Sequence, residues 1–197
     1  MPHPPLAVTW RLRRTRLPRI LHHCANCTVP STFEPTGRFR VNANRKLLDV
    51  WLLLSCGTCG RSLKATVVER SAVRSISPAL LRRYQRNDPL LVAEVLLAPS
   101  FRRRNRLTLD WTGTWELAAD PLPWLQVQSW RDRPIRVTVE LGQPVLVHPV
   151  QVLAAGLGIS RTEVKRLIAA GRIQSSISLD SRTSTGFQFT VDSTRIT

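Results

Sequence analysis

Apolar and polar residues alternate along several short stretches of the chain. Arg38-Phe39-Arg40-Val41-Asn42 has the period of two that puts one face of a β-strand in a core. Asn42-Ala43-Asn44-Arg45 reads as a turn, and residues 46–55 form a longer apolar run behind it. In residues 61–70, Leu63, Ala65 and Val67 alternate with Lys64, Thr66 and Val68, which predicts another strand. Residues 8–12 predict an earlier one, and Arg16-Leu17-Pro18-Arg19-Ile20-Leu21 leads into His22-His23-Cys24. The clearest alternation lies in 134–141, with Ile135, Val137, Val139 and Leu141 against Arg136, Thr138 and Glu140. Gly142-Gln143-Pro144 is the expected turn and Val145-Leu146-Val147 the expected return strand. Ile177 and Leu179, then Phe187, Phe189 and Val191, predict later strands.

The period changes in two places. Ser77-Pro78 carries a helix start, an N-cap serine followed by proline in the first turn, and Leu80, Leu81 and Tyr84 share a face. Asp88-Pro89 opens a second helix through Leu90, Leu91, Val92, Val95 and Leu96, so a helical hairpin is expected around Asn87. Further on, His148-Pro149 starts a helix that closes at Gly156 or Gly158. Ser160-Arg161-Thr162-Glu163 has the spacing of a capping box and begins another, with Val164, Leu167 and Ile168 inward, ending at Gly171. The expected fold class is therefore α+β: an N-terminal zinc ribbon over 1–72, a helical hairpin and Trp-rich connector over 73–133, and a C-terminal β-hairpin with a helix pair over 134–197. The tryptophans of the connector, Trp111, Trp115, Trp124 and Trp130, are read as packing an irregular β region.

The cysteines give the first segment its name. All four lie in two pairs, Cys24-Ala25-Asn26-Cys27 and Cys56-Gly57-Thr58-Cys59, with 28 residues between them. Two thiolates three positions apart converge when the turn between them closes. Two such turns supply the four sulfurs of a closed, tetrahedral structural zinc site. One zinc ion held by Cys24, Cys27, Cys56 and Cys59 is expected, with substitution of one cysteine by His22 or His23 left open. A redox pair is the rival reading, but it needs one Cys-x-x-Cys at a helix start, whereas strands flank both pairs here. A catalytic zinc needs an open coordination position and a neighbouring acid or base. Glu34, Asp49 and Glu69 are the carboxylates of this region. No cluster of histidine, carboxylate and nucleophile and no phosphate-binding glycine loop occurs elsewhere, so catalytic residues are expected to be none.

Charge narrows the partner. The 197 residues carry 29 Lys and Arg against 13 Asp and Glu, a net charge of +16. A surplus this large points to a polyanion, nucleic acid before membrane. Hydrophobic residues make up 43% of the chain, enough for a packed core, so the charge does not belong to a disordered basic tail. The first 70 residues hold 12 Lys and Arg against 3 Asp and Glu, so +9 of the +16 lies around the cysteine pairs. Residues 135–197 hold 7 against 4, or +3. The candidate nucleic-acid contacts are Arg38, Arg40, Arg45 and Lys46 on the ribbon, Arg102, Arg103 and Arg104 in the dense run after Phe101, and Arg161, Lys165 and Arg166 on the last helix. No apolar run approaches the roughly 20 residues of a membrane-spanning helix. The N-terminus lacks the charge-then-apolar order of a signal peptide, so the cytoplasm is the expected compartment.

Two resemblances bear on this. Leu153, Gly156, Ser160-Arg161-Thr162-Glu163, Leu167-Ile168, Gly171 and Ile173 resemble the αL RNA-binding motif of the ribosomal protein S-four type, over about 40 residues. That family follows with a Val-Asn-Gly turn, where this chain has Gln174-Ser175-Ser176. The resemblance implies RNA as ligand. Taken whole, the chain resembles a bacterial family, the domain of unknown function 1062. The similarity lies in Leu17-Pro18-Arg19-Ile20-Leu21-His22-His23-Cys24, in the stretch from Phe39 to Trp51, and in the helix from Ser160 to Gly171. It implies no activity. The expectation is a non-catalytic, monomeric protein binding structured RNA, with the ribosome among its candidate partners. The alternatives are a DNA-binding regulator using a helix-turn-helix over 149–171, and a protein-interaction module.

Overall fold

The computed structural model describes residues 5–44, 46–119 and 134–192. Its strands, in chain order, are β1 (Leu6–Arg14), β2 (Arg19–Cys24), β3 (Val29–Asn44), β4 (Leu47–Cys56), β5 (Ser62–Ala72), β6 (Thr108–Asp110), β7 (Trp115–Ala119), β8 (Ile135–Leu141), β9 (Ile173–Ser175) and β10 (Phe187–Val191). The helices are α1 (Pro78–Gln85), α2 (Pro89–Leu97), α3 (Pro99–Asn105), α4 (Pro149–Leu157) and α5 (Arg161–Ala169). The chain divides into two compact units. One is Leu17–Thr112, and the other joins Met1–Arg16 to Gly113–Thr197. These limits do not coincide with the expected boundaries after residues 72 and 133.

The continuous unit holds a five-stranded sheet in the order β5-β4-β3-β2-β6, with every pair antiparallel. β4 sets its core. Leu48, Val50, Leu52, Leu54 and Cys56 are buried in strict alternation, while Leu47, Asp49, Trp51, Leu53 and Ser55 are half-buried on the other face. Each fully buried leucine or valine of that row stabilises the fold by roughly 1.5–3 kcal/mol relative to exposure. Ile20, Phe33 and Phe39 continue the same layer on β2 and β3, and Tyr84, Leu91, Val92, Leu96 and Phe101 of the three helices close over it. Phe39 and Tyr84 meet edge to face at 5.0 Å between centroids.

Two asparagines tie helices to strands. The Asn87 Oδ1 accepts from the Phe39 N–H at 2.7 Å, next to the irregularity in β3 pairing between Pro35 and Phe39. The Asn105 side chain accepts from the Thr66 N–H at 2.7 Å and donates to the Thr66 and Phe101 carbonyls, both at 2.9 Å.

The discontinuous unit holds a second five-stranded sheet, in the order β7-β1-β8-β10-β9. β1 lies in its interior, parallel to β8 and antiparallel to β7, with Leu6 opposite Ile135 and Leu12 opposite Leu141. Trp10 is fully buried and meets Phe189 edge to face at 5.2 Å. α4 passes so close that a Cβ on Gly156 would overlap the Trp10 ring. The left-handed helix end is Gly158, at φ 67°, so Gly156 serves close approach and Gly158 serves the cap.

These sheets correct the expected α+β fold. The described chain is mostly β, two five-stranded sheets with five short helices, and contains no helical-hairpin layer. α1 and α2 exist, but they pack on β3, and the Phe101–Arg106 stretch continues into a third helix, α3. The first strand, assigned to the ribbon, belongs to the other sheet. The C-terminal hairpin is absent as well. Both edges of β8 are taken, by β1 and β10, so Val145–Val147 has no edge to join. Val145 and Val147 are buried all the same, and Val147 makes a single bridge to Thr183. The capping box is half formed. Ser160 accepts from the Glu163 N–H at 3.1 Å, while the Glu163 carboxylate turns to Arg166. Trp111 packs against the continuous unit's core and Trp115 lies on β7; Trp124 and Trp130 fall outside the described residues.

Candidate metal centre

Two strand ends build the site. Cys24 ends β2 in phase with the buried Ile20, and Cys56 ends β4 in phase with the buried Leu54. Both cysteines are thus the last members of core-facing rows, and both are buried, at 1% and 2% exposure. β3 runs between the two strands and fixes their ends together. Cys24 stands opposite Val29, and Phe33 opposite Cys56.

Each strand then turns in the same way. The Thr28 N–H donates to the Cys24 carbonyl at 2.8 Å, and the Gly60 N–H donates to the Cys56 carbonyl at 2.8 Å. Thr28 and Gly60, four residues beyond the first cysteine of each pair, are left-handed at φ 58° and 70°. Glycine takes that conformation freely. Threonine does not, and the strain at Thr28 is about 1–2 kcal/mol; its hydroxyl donates to the Cys27 carbonyl at 2.7 Å. The second turn is anchored to β3 by the Gly57 N–H, which donates to the Thr32 carbonyl at 2.8 Å. A Cβ on Gly57 would press on Thr32 at 3.2 Å.

The turns bring Cys27 and Cys59 back over Cys24 and Cys56. All four sulfurs lie within 4.8 Å of one another. Cys24 and Cys59 are 3.6 Å apart, and Cys27 and Cys56 are 3.9 Å apart. These contacts run between the pairs, and all four cysteines are free. A disulfide needs about 2.05 Å. A tetrahedron with metal–sulfur bonds of about 2.3 Å has sulfur–sulfur edges of about 3.8 Å, and the two spacings straddle that value. The four-cysteine set therefore has the geometry to hold a metal ion. Neither His22 nor His23 belongs to the group, and His22 instead sits edge-on to Phe33.

The turns also act on the thiols. Backbone N–H groups of Cys59 and Thr58 pull the Cys56 thiol down to about 6, and that of Arg61 lowers Cys59. Hydrogen bonding to the other thiols, Cys59 first, pushes Cys27 up to about 12. Thiol protons compete with a metal ion for the same sulfurs. A divalent ion replaces those protons, which is why such clusters bind metal with proton release.

The expected cations fall in three places. Arg38, Arg40 and Lys46 are exposed along the β3–β4 hairpin, and Arg40 stands opposite Trp51. Arg45 lies outside the described residues. Arg102 and Arg103 line a pocket at the end of α3, whereas the Arg104 Nη1 donates to the Val67 carbonyl at 3.3 Å. Arg161 and Lys165 line a cavity of about 220 Å³ with His148, Gln151 and Thr162. Arg166 is ion-paired to Glu163 at 2.7 Å.

The carboxylates are unevenly spent. Arg11, Arg13, Arg19, Arg83 and Arg166 are ion-paired with Glu140, Glu116, Asp110, Asp88 with Glu94, and Glu163. Among the described residues, Arg38, Arg40, Lys46, Arg102, Arg103, Arg161 and Lys165 have no such partner. Sequence reading placed Arg106 in the same basic run as Arg102 to Arg104, but did not place Trp51 beside the cations of the hairpin. The signal for Trp51 was its place out of phase with the buried row of β4.

No helix among the described residues is long and apolar enough to cross a membrane. No curated protein and no solved structure matches the chain. A family model described as protein of unknown function (DUF1062) matches residues 41–178, from within β3 to just past β9, and so takes in the second cysteine turn but not the first. With well over half of its length in that match, the chain belongs to the DUF1062 family.

Proposed function

We propose that this chain is a non-catalytic RNA-binding protein of the cytoplasm, with its cysteine centre occupied by one structural zinc ion. Zinc is favoured by the donor set, four thiolates in a closed tetrahedron, which is characteristic of structural zinc sites. The centre ends the core rows of two strands, so the ion serves to hold the sheet. Among the described residues, no histidine or carboxylate joins the four cysteines in the cluster.

The observation that carries RNA binding is the distribution of ion pairs. A chain of net charge +16 leaves Arg38, Arg40 and Lys46 without carboxylate partners on one hairpin of the metal-bearing sheet, beside Trp51. Unpaired guanidinium groups meet phosphate, and a tryptophan among them offers a base a stacking surface. Arg161 and Lys165 provide a second patch, without Arg166, which Glu163 neutralises.

The test is a mobility-shift series with structured RNA, single-stranded RNA and duplex DNA over a range of salt. The expected result is binding to RNA that weakens linearly in log affinity against log salt. Arg38→Gln with Arg40→Gln should lower the slope by about 1–2. No binding at about 50 mM salt, where phosphate contacts are least screened, overturns the reading. Tighter, sequence-selective binding to duplex DNA would replace it with a regulator's role for α5.

A further inference from the structure

The end of α3 carries an open pocket of about 500 Å³ lined by Pro99, Arg102, Arg103, Arg106, Leu107 and Thr108. Three of these six residues are arginines, one brings a hydroxyl, and none is a carboxylate. Arg102 and Arg103 stand in the last turn of α3, and Arg106, the left-handed residue that ends the helix, reaches the same pocket. Arg104 does not line it and is tied to the Val67 carbonyl of β5.

Two features set this cluster apart from a solvated basic face. The Arg102 Nε is buried without a hydrogen-bond acceptor among the described residues. A buried donor left unpaired is costly, and more so when it is charged. Arg106 occupies the left-handed position that ends α3, at φ 53°, and the Leu107 N–H closes the turn on the Arg102 carbonyl at 2.9 Å. Glycine is the ordinary residue there. An arginine in its place forgoes backbone stability and brings a third guanidinium to the pocket. Among the described residues none of the three is ion-paired.

We propose that this pocket is a binding site for a phosphate group. Guanidinium groups pair with phosphate oxygens in a planar, two-pronged geometry. The Arg102 Nε gains the acceptor it lacks, and the Thr108 hydroxyl can donate a further hydrogen bond. Two sources of phosphate share this chemistry. If it belongs to RNA, the pocket deepens the reading above and rests on it. If it belongs to a free di- or triphosphate, the pocket stands alone.

The experiment is calorimetric titration of the full chain with inorganic pyrophosphate and, separately, with a structured RNA hairpin and a single-stranded RNA decamer. The variants are Arg103→Gln and Arg106→Gly, both at exposed positions. Each should lower pyrophosphate affinity about tenfold, the loss of one charge-assisted contact. Arg106→Gly should at the same time raise the Tm, because glycine accepts the left-handed backbone. Pyrophosphate that fails to bind at millimolar concentration, or that binds both variants as it binds the wild type, overturns the pocket even where RNA still binds. Pyrophosphate binding that responds to both variants, with no RNA bound by any form, keeps the pocket and overturns the RNA reading. Competition between pyrophosphate and RNA identifies RNA as a source of the phosphate.

Discussion

The two sheets have five strands each, but they are assembled in opposite ways. In the continuous unit, neighbours in the sheet are mostly neighbours in the chain: β2 to β3, β3 to β4, β4 to β5. The four cysteines lie at the end where β2 and β4 stop. In the other unit, the strand nearest the N-terminus sits between two strands from the far half of the chain, with Thr9 opposite Thr138 and Arg14 opposite Trp115. No metal-type cluster occurs in that unit among the described residues. Trp10 fills its centre, and α4 closes over it through Gly156. One unit thus combines local pairing with a four-cysteine cluster at one end of its sheet. The other relies on non-local pairing around one large aromatic side chain.

Dismantling that cluster is the most severe way to break this contrast. On the proposed zinc occupancy, chelation or Cys56→Ala should unfold the continuous unit, since structural zinc supplies apparent free energies of about 10–16 kcal/mol. That matches or exceeds a whole domain's stability of about 5–15 kcal/mol. Amide hydrogen exchange should show protection lost in β2–β5 and kept in β1, β8 and β10. Equal loss in both sheets would erase the distinction.

A smaller effect is expected from Gly156→Ala. Its methyl group overlaps the Trp10 ring, and overpacking of this kind costs about 1–3 kcal/mol. The loss should be read in β1 and β8 by exchange, with β2–β5 unchanged. A neutral Gly156→Ala would show that α4 is not seated on Trp10.

The smallest effect is a pH dependence within the continuous unit. Arg83 joins α1 to α2 by binding Asp88 at 2.6 Å and Glu94 at 2.9 Å. The Arg83 guanidinium, with the Leu91 and Leu90 N–H groups, holds the Asp88 carboxyl below its ordinary value of 3.8. A depressed folded-state value gives stability that is present above pH 3.8 and lost as pH falls through the lower value. Asp88→Asn keeps an N-cap and removes the charge. Urea midpoints of wild type and Asp88→Asn should therefore differ near neutral pH and converge in acid. A constant difference across that range would show that the ion pair does not carry it.

The cysteine centre was legible because its determinants are local. Each Cys-x-x-Cys turn closes within five residues, and the strand phase that buries Cys24 and Cys56 is visible in Ile20 and in Leu48 to Leu54. The helix starts at Ser77, Asp88 and Ser160 were legible for the same reason, since a cap is one side chain meeting the N–H groups next to it. The hairpin expected at 134–147 failed because alternation marks a strand without marking its partner. Arg104 looked like its neighbours because a run of arginines does not show which side of the helix each one takes.

What the sequence by itself determined was therefore the kind of many local elements, though neither the absence of a strand at 145–147 nor the helix α3, together with the spacing of the four cysteines and the excess of positive charge. Tertiary structure alone decided that residues 6–14 join strands more than 100 positions away, that α1 and α2 lie on a sheet, and which arginines meet a carboxylate. The physical reason is one of range. Caps, turns and strand periodicity are set by groups a few residues apart. Strand partners and ion pairs depend on which surfaces the whole chain buries together, and no single stretch of sequence encodes that.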